Sequence, residues 1–341
     1  MEGVDLEVLR QALAWIREGQ RVQLATIVRT FGSAPRPVGA MLAVAAKGRF
    51  VGSVSGGCVE DDLIPRLRVR AGLLPEWVRY GITEAQSRRF GLPCGGQLEL
   101  IVEGFEQAET IAAIVAALEA RQLICRRLRL HDGRSDLCPG DGHEAVRVDG
   151  GTVEFLYGPR WRLIVIGAGQ LSQYLVRLAL MLDYQVIVCD PRPEFRKAFI
   201  ADLPSAVIEM REDMPDDLIR AAAPDQCTAI VALSHDPKID DMALLEALAS
   251  PAFYVGALGS RLNQEKRRQR LRQHFDLTDV QLARLHGPVG LAIGSRSPAE
   301  IAIAILAEIT ALRNGVVLAP VKAGAKPPDV TVVAGCAAAA G

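Results

Sequence analysis

The sequence has no long apolar run, no cationic N-terminal stretch and no paired cysteine motif. A membrane-spanning helix needs about 20 apolar residues in a row, and no run in the chain approaches that length. Glu2 and Asp5 stand where a signal peptide would carry basic residues, so we expect no signal peptide. The seven cysteines include no C-x-x-C pair, and H-E-x-x-H does not occur. We therefore expect reduced thiols, no structural zinc site and a cytoplasmic location.

The chain also lacks an excess of positive or negative residues. The 341 residues include 39 Lys and Arg against 40 Asp and Glu, which gives a formal net charge of −1. Aromatic residues make up 5% of the chain and do not alternate with basic ones. We therefore expect neither a nucleic-acid partner nor a membrane partner.

The segment 162–190, RLIVIGAGQLSQYLVRLALMLDYQVIVCD, predicts a βαβ unit. An apolar run typical of a buried parallel strand leads into a turn with Gly167 and Gly169, and leucines at helical spacing follow. The glycines would let the backbone approach a phosphate at the helix N-terminus. Asp190 ends the second strand, where a carboxylate would accept hydrogen bonds from a ribose. Ser172 replaces the third glycine of G-x-G-x-x-G, which preserves the fold but weakens the indication of a bound nucleotide.

The fold class follows from how the patterns alternate. Strand and helix patterns alternate through the second half, which predicts an α/β fold with an open, mostly parallel sheet. We predict an N-terminal α+β domain at 1–158 and a C-terminal Rossmann-like domain at 159–316. Residues 317–341 are rich in Ala, Gly, Pro and Val, and we expect a disordered tail there.

Two cysteines of the first half lie among glycines. Cys58 follows Gly56 and Gly57 and precedes a predicted helix, whose N-terminus would lower the pKa of the thiol. Cys94 has similar surroundings, with Gly95 after it. Either cysteine is a reactive thiol or a small apolar residue packed where glycines leave little room. The other cysteines lack such surroundings, and we expect structural or incidental roles for Cys125, Cys138, Cys189, Cys227 and Cys336.

Further candidates are polar residues in loops and at helix starts. Arg36, between two prolines, would grip a phosphate or carboxylate, or pair with a nearby acid. Ser260 and Arg261 open a basic helix and would form a second anion cradle, with the helix either a docking surface or a solvated face. His235 and the aspartate after it follow a strand, as an acid–base pair or a helix cap. The acids at 60–62 suit the dipole of the helix they open.

Six stretches of the chain together carry a family pattern. They are GSAPRPVGAML, GSVSGGCVEDDLI, PCGGQLELIVE, LIVIGAGQLSQYL, YVGALGSRLNQEKRRQRL and LHGPVGLAIGSRSPAEIAIAILAEI. With them the chain resembles the XdhC/CoxI family of accessory proteins over nearly all of its length up to about residue 315. No single stretch is specific, whereas the combination is.

The resemblance implies a chaperone for the molybdenum cofactor in its molybdopterin form, a cofactor carrier rather than a catalyst. Such a protein holds the cofactor while a terminal sulfido ligand is installed with help from a cysteine desulfurase. It then delivers the cofactor to xanthine dehydrogenase or a related molybdenum hydroxylase of purine catabolism. The resemblance also implies a homodimer.

The implied ligand gives the candidate residues their roles. Cys58 or Cys94 would ligate the molybdenum or receive sulfur, with Gly56, Gly57 and Gly95 beside them. The phosphate end, or a nucleotide, would lie against the remaining candidates, which are Arg36, Gly167, Gly169, Asp190, Ser260 and Arg261.

Two other functions remain open from the sequence. An NAD(P)-dependent oxidoreductase would use Asp190 for the cofactor and His235 as an acid–base group, although no strong proton-transfer constellation accompanies the fold. A nucleotide-sensing interaction module would need no chemistry.

Overall fold

The computed structural model describes residues 3–32, 36–57, 59–81, 97–140, 144–202 and 208–316. The chain divides into two compact units, Met1–Trp161 and Arg162–Gly341. In the described ranges, no helix combines the length and apolar character needed to cross a membrane. Cys58, Cys94, Gly95 and the predicted tail lie outside the described residues.

The first unit contains two antiparallel sheets. The larger has five strands in the order β3-β2-β1-β5-β4 and the smaller has four in the order β7-β6-β9-β8. The strands are β1 Val22–Phe31, β2 Met41–Ala45, β3 Phe50–Gly52, β4 Glu76–Tyr80, β5 Gln97–Phe105, β6 Ile124–Arg129, β7 Ser135–Pro139, β8 Val146–Asp149 and β9 Thr152–Tyr157. The helices are α1 Gly3–Arg17, α2 Glu60–Val69 and α3 Glu109–Glu119.

Strand β1 is buried on both faces because it divides two hydrophobic clusters. Leu24 and Val28 belong to the cluster that includes α1 and α3. Ala25 and Ile27 point the other way, into the cluster that includes Leu63 of α2. The larger sheet therefore has helices packed on both faces.

The second unit is a six-stranded parallel sheet in the order β12-β11-β10-β13-β14-β15. Its strands are β10 Arg162–Ile166, β11 Gln185–Cys189, β12 Glu209–Arg211, β13 Thr228–Ala232, β14 Tyr254–Ala257 and β15 Leu285–His286. Its helices are α4 Gln170–Met181, α5 Pro193–Asp202, α6 Pro215–Ala222, α7 Pro237–Ala249, α8 Arg261–Phe275, α9 Asp279–Ala283 and α10 Pro298–Arg313. The predicted fold class, with its parallel Rossmann-like sheet and α+β N-terminal region, is confirmed.

The strand order reverses between β10 and β13, which are neighbours in the sheet. In open α/β sheets, ligands bind outside the carboxyl ends of the strands at such a reversal. The loops after β10, β11, β13 and β14 are therefore where a ligand site is expected.

Local patterns predicted edge elements least well. Residues 131–151, predicted as a loop or hairpin, contain β7, which forms a hairpin with β6, and β8. Both are half-exposed edge strands; β7 has no regular alternation, and β8 alternates valine with charged residues over only four positions. The short strand predicted at 206–209 begins at Glu209, and residues 203–207 lie outside the described part.

Candidate functional site

Gly167 and Gly169, the two glycines of the turn after β10, have different structural roles. Gly167 has φ +101°, and a Cβ there would lie 2.5 Å from the Cα of Ser234. Gly167 is therefore required for close packing of two backbones. Gly169 has φ −89°, and a Cβ there would meet no described atom within 4 Å. The open space at the turn thus lies at Gly169, the residue before the first turn of α4, where free N–H groups favour an anion.

Asp190 is fully buried and bound by its own chain. Its carboxylate accepts hydrogen bonds from the Ala168 N–H at 2.8 Å and the Arg192 N–H at 3.0 Å. The guanidinium of Arg192 adds two more, from Nε at 2.9 Å and Nη2 at 2.8 Å. Burial raises the pKa of Asp190, but these bonds outweigh it and hold the pKa below its usual range. A ribose contact stays a prediction and would require Arg192 to move.

A cavity of about 200 Å³, here called the β13–β14 cavity, opens beside the loops that follow these two strands. Six of its nine lining residues are polar or charged, and three of these are cationic side chains of α8. The lining residues are His235, Pro237, Asp240, Leu258, Gly259, Asn263, Lys266, Arg267 and Arg270. This position matches the edge where α/β sheets bind ligands.

Two of the three α8 cations are already paired with acids of α7. Arg267 is 6% exposed, and its Nη2 lies 3.2 Å from Asp240 Oδ2 while its Nε lies 2.9 Å from Asp241 Oδ1. Arg270 Nη2 lies 2.7 Å from Asp241 Oδ2. For Lys266, no carboxylate of the described residues lies within ion-pairing distance, so its charge remains for a ligand. Much of the charge of the predicted docking surface is thus used inside the fold.

Ser260 and Arg261 flank the cavity without lining it. Ser260 caps α8, since its Oγ accepts a hydrogen bond from the Asn263 N–H at 3.3 Å. Arg261 is exposed at the first helical position. An anion contact of Ser260 and Arg261 stays a prediction, and the residues of α8 that line the cavity are Asn263, Lys266, Arg267 and Arg270.

His235 and its neighbour also separate into two roles. His235 is exposed, has φ +61° and lines the cavity. Asp236 caps α7 by accepting a hydrogen bond from the Lys238 N–H at 2.9 Å. The helix-cap alternative thus describes Asp236, while His235 remains available to a ligand.

In the first unit, the loop before α2 is built around the carboxylate of Glu60. Its Oε1 accepts from Ser53 Oγ at 2.6 Å and from the Val54 and Ser55 N–H groups at 2.8 Å each. Its Oε2 accepts from Ser55 Oγ and from the Gly57 N–H at 3.0 Å. Burial raises the pKa of Glu60, but these bonds lower it to about 2.

The same loop holds the residues on both sides of position 58. Gly56 and Gly57 have φ of +79° and +128°, which only glycine adopts readily. The Val59 N–H donates to Ser55 Oγ at 2.8 Å. Glu60 therefore does more than favour a helix dipole, because it fixes the shape of the loop that contains the predicted thiol.

Arg36 lies near an acid, as the second of its two interpretations predicts. Its Nη2 lies 4.0 Å from Oδ1 of Asp5, an almost fully buried acid of α1. A phosphate contact of Arg36 stays a prediction. Of the predicted residues, Gly56 and Gly57 share the Glu60 loop, while Gly167, Gly169, Asp190, Ser260 and Arg261 share the carboxyl edge of the second sheet.

Sequence comparison identifies the family. The profile described as "XdhC Rossmann domain" matches residues 163–309, and the profile described as "XdhC and CoxI family" matches residues 15–81. The chain belongs to the XdhC/CoxI family. The first range holds the glycine turn and the β13–β14 cavity, and the second holds the Glu60 loop.

Relatives of this XdhC/CoxI chain match it across both units. It is 28% identical over 310 residues to the molybdenum cofactor insertion chaperone PaoD of Escherichia coli, covering 90% of this chain and 88% of that protein. It is 27% identical over 342 residues to a probable xanthine dehydrogenase subunit from Bacillus subtilis, covering 89% and 96%. A crystal structure of a protein named xanthine dehydrogenase, from Bacillus halodurans, has a TM-score of 0.69 at 27% identity over 95% of this chain and 98% of that one.

Two residues of the candidate sites are missing from the prediction. The sequence indicates only a helix-dipole role for Glu60, although serines at 53 and 55 supply hydroxyl donors within reach. Lys266 reads in the sequence as one charge of a basic helix. Its spacing of three residues from Asn263 places both on one helical face, which is a signal that a sequence does contain.

Proposed function

We propose that this chain binds the molybdenum cofactor and inserts it into xanthine dehydrogenase or a related molybdenum hydroxylase. The whole-length relationship to a protein named as a molybdenum cofactor insertion chaperone supports this role. The observation that carries it in the structure is the open position at Gly169, at the N-terminus of a helix on the sheet's ligand-binding edge. Molybdopterin ends in a phosphate, which is the kind of group such a position accepts.

The cationic side of the site lies along the same sheet edge. Lys266, Asn263 and His235 line the β13–β14 cavity, and the charge of Lys266 is not used by a described acid. A lysine ammonium and a helix N-terminus are both common partners of phosphate. We assign the phosphate, or a nucleotide attached to it, to this edge of the second unit.

The thiols of the first unit are the candidates for binding the metal or receiving sulfur. Cys58 would ligate molybdenum or receive sulfur, because thiolates are soft ligands and the Glu60 loop fixes its neighbours Gly57 and Val59. Cys94 is the second candidate thiol. In this proposal a cysteine desulfurase supplies the sulfur, and the chain works as a homodimer that carries the cofactor without transforming a substrate.

The substitution Gly169→Ala tests the phosphate assignment. Its backbone angles suit alanine and its Cβ would meet open space, so we expect no loss of stability. A Cβ in that space would obstruct a phosphate. We expect molybdopterin occupancy to fall at least about tenfold, equivalent to about 1.4 kcal/mol of binding free energy.

The measurement uses protein purified from a host that makes molybdopterin. Bound pterin is oxidised to its fluorescent derivative, and molybdenum is measured by elemental analysis. Gly72→Ala is the matched control, since a Cβ there would make only ordinary contact, at 3.7 Å from Arg70. Full occupancy in Gly169→Ala would remove the turn from the site. Absence of pterin from the wild type, together with turnover that depends on NAD(P), would reject the carrier function itself.

A further inference from the structure

Two cysteines of the smaller sheet in the first unit lie opposite each other. The antiparallel register of β6 and β7 pairs Cys125 with Cys138. The bonds from the Gly140 N–H to the Leu123 carbonyl at 3.1 Å and from the Arg129 N–H to the Arg134 carbonyl at 2.9 Å define this register. Both make Cys125 and Cys138 a hydrogen-bonded pair, because such pairs recur at every second residue.

This pairing brings the two Cα atoms to a separation that a disulfide spans. The Cα atoms of a hydrogen-bonded antiparallel pair lie about 5.5 Å apart, within the range of about 4.4–6.8 Å that a disulfide spans. Side chains of directly paired residues also project from the same face of the sheet. The Cβ atoms of directly opposite residues lie about 4.5–5.5 Å apart and a disulfide brings them to about 3.5–4.5 Å, so a shift of about 1 Å of the edge strand is enough to join the two sulfurs.

The two thiols already interact in the reduced protein. Both cysteines are free, and Cys138 Sγ lies 3.7 Å from the carbonyl oxygen of Cys125, to which it donates. Burial, and then the neighbouring thiol of Cys138, raise the pKa of Cys125 to about 11. Cys125 is 8% exposed, whereas Cys138 is partly exposed on the edge strand. An accessible thiol thus has a protected thiol as its immediate neighbour.

Cys189 has different surroundings. Cys189 is fully buried at the end of β11 and donates to the Asp213 carbonyl oxygen at 3.3 Å. A reagent in solvent would reach Cys138 well before Cys189.

We propose that Cys125 and Cys138 form a reversible disulfide that joins β6 to the edge strand β7. A low-molecular-weight disulfide such as oxidised glutathione is the oxidant. The Cys138 thiolate attacks one sulfur of the oxidant, whose S–S bond breaks and releases one glutathione thiolate. The Cys125 thiolate then attacks Cys138 Sγ and expels the second glutathione. Two electrons and two protons pass from the cysteine pair to the oxidant.

The two steps have different rates. Cys138 reacts first because solvent reaches it, and Cys125 reacts second because it must lose a proton in a buried position. Burial is the largest cause of the raised pKa of Cys125, ahead of the neighbouring Cys138 thiol. The second step is therefore expected to accelerate as the pH rises.

The test incubates the full-length protein with excess oxidised glutathione, blocks free thiols and maps peptides by mass spectrometry. We expect one linked peptide pair containing Cys125 and Cys138, and dithiothreitol should restore both thiols. Cys125→Ser should retain glutathione on Cys138, because the resolving thiol is gone. Cys138→Ser should leave Cys125 free. Cys189→Ser, the matched control, should form the same crosslink as wild type.

Two results would overturn the proposal. One is wild-type protein in which Cys125 and Cys138 both remain free under excess oxidant. The other is glutathione that stays on Cys138 of the wild type as stably as on that of Cys125→Ser. Before oxidation, the tryptophan fluorescence spectrum of each reduced variant is compared with that of the reduced wild type, to check that the variant is folded.

Discussion

Replacing Glu60 with glutamine should destabilise the first unit and disturb its thiol loop. The carboxylate receives hydrogen bonds from Ser53, Val54, Ser55 and Gly57, and its pKa is about 2 against an ordinary 4.5. At 1.36 kcal/mol for each pKa unit, the charged form contributes about 3 kcal/mol to folding. In Glu60→Gln, an amide NH₂ group would replace one carboxylate oxygen and face the hydrogen-bond donors of the loop. The unsatisfied donors that result would add to the loss of stability.

The pH dependence of this contribution has a definite sign. The folded pKa lies below the unfolded one, so the contribution is fully present above about pH 4.5. It is lost as the pH falls from there through about 2. Wild-type stability should therefore decline over this window more steeply than that of Glu60→Gln, which has no carboxyl group to titrate at this position.

Denaturant unfolding followed by tryptophan fluorescence measures the effect. All three tryptophans, Trp15, Trp77 and Trp161, belong to the first unit, so their signal reports its unfolding. Asp61→Asn is the control, since it removes an exposed charge from the same helical turn and should cost about 1 kcal/mol or less. Equal stability of the two variants at pH 7 would refute the role of Glu60. We also expect Glu60→Gln to carry less pterin than Asp61→Asn.

Three further substitutions test the packing and the cavity. Gly167→Ala should lower the free energy of unfolding by about 2 kcal/mol or more, because position 167 has a positive φ and the new Cβ would clash with the backbone of Ser234. An unchanged melting temperature would contradict this. Arg126 of β6 and Glu103 of β5 form a buried ion pair, with Arg126 Nη1 donating to Glu103 Oε2 at 2.8 Å. Arg126→Ala should cost about 3–5 kcal/mol because it leaves Glu103 charged and buried, while Arg126→Met combined with Glu103→Leu should recover most of that in urea titrations. Lys266→Gln should weaken retention of molybdopterin and reduce its salt dependence, whereas Lys197→Gln, an exposed control on α5, should match wild type.

The central βαβ unit could be predicted from sequence because its signals are local. The apolar runs of β10 and β11 and the glycine turn between them lie within thirty consecutive residues, and each element appears where its pattern predicts. Strand β8 and helix α9 carry weaker signals. The first is a half-exposed edge strand of four residues and the second has only five residues, so both are too short for periodicity alone to predict them.

The candidate site was predictable in its location more than in its contacts. Gly167 and Gly169 have the same appearance in the sequence, and only the approach of the Ser234 backbone assigns one to packing and leaves the other open. Asp190 was placed correctly at a strand end, but Arg192 occupies its oxygens. The hydrogen-bond and ion-pair partners of a buried acid depend on which groups the fold brings close to it.

The parallel sheet and the edge at which its loops gather follow from local patterns, because apolar periodicity and turn residues act over short distances, while six stretches of sequence carry the resemblance to the family. Which charges are paired and which thiols meet depends on contacts between residues far apart in the chain. Arg267 is neutralised by acids more than twenty residues earlier in the chain, which leaves the charge to Lys266. Cys125 meets Cys138 only because β6 and β7 pair in one register, and a shift of one residue would have turned one sulfur to the opposite face.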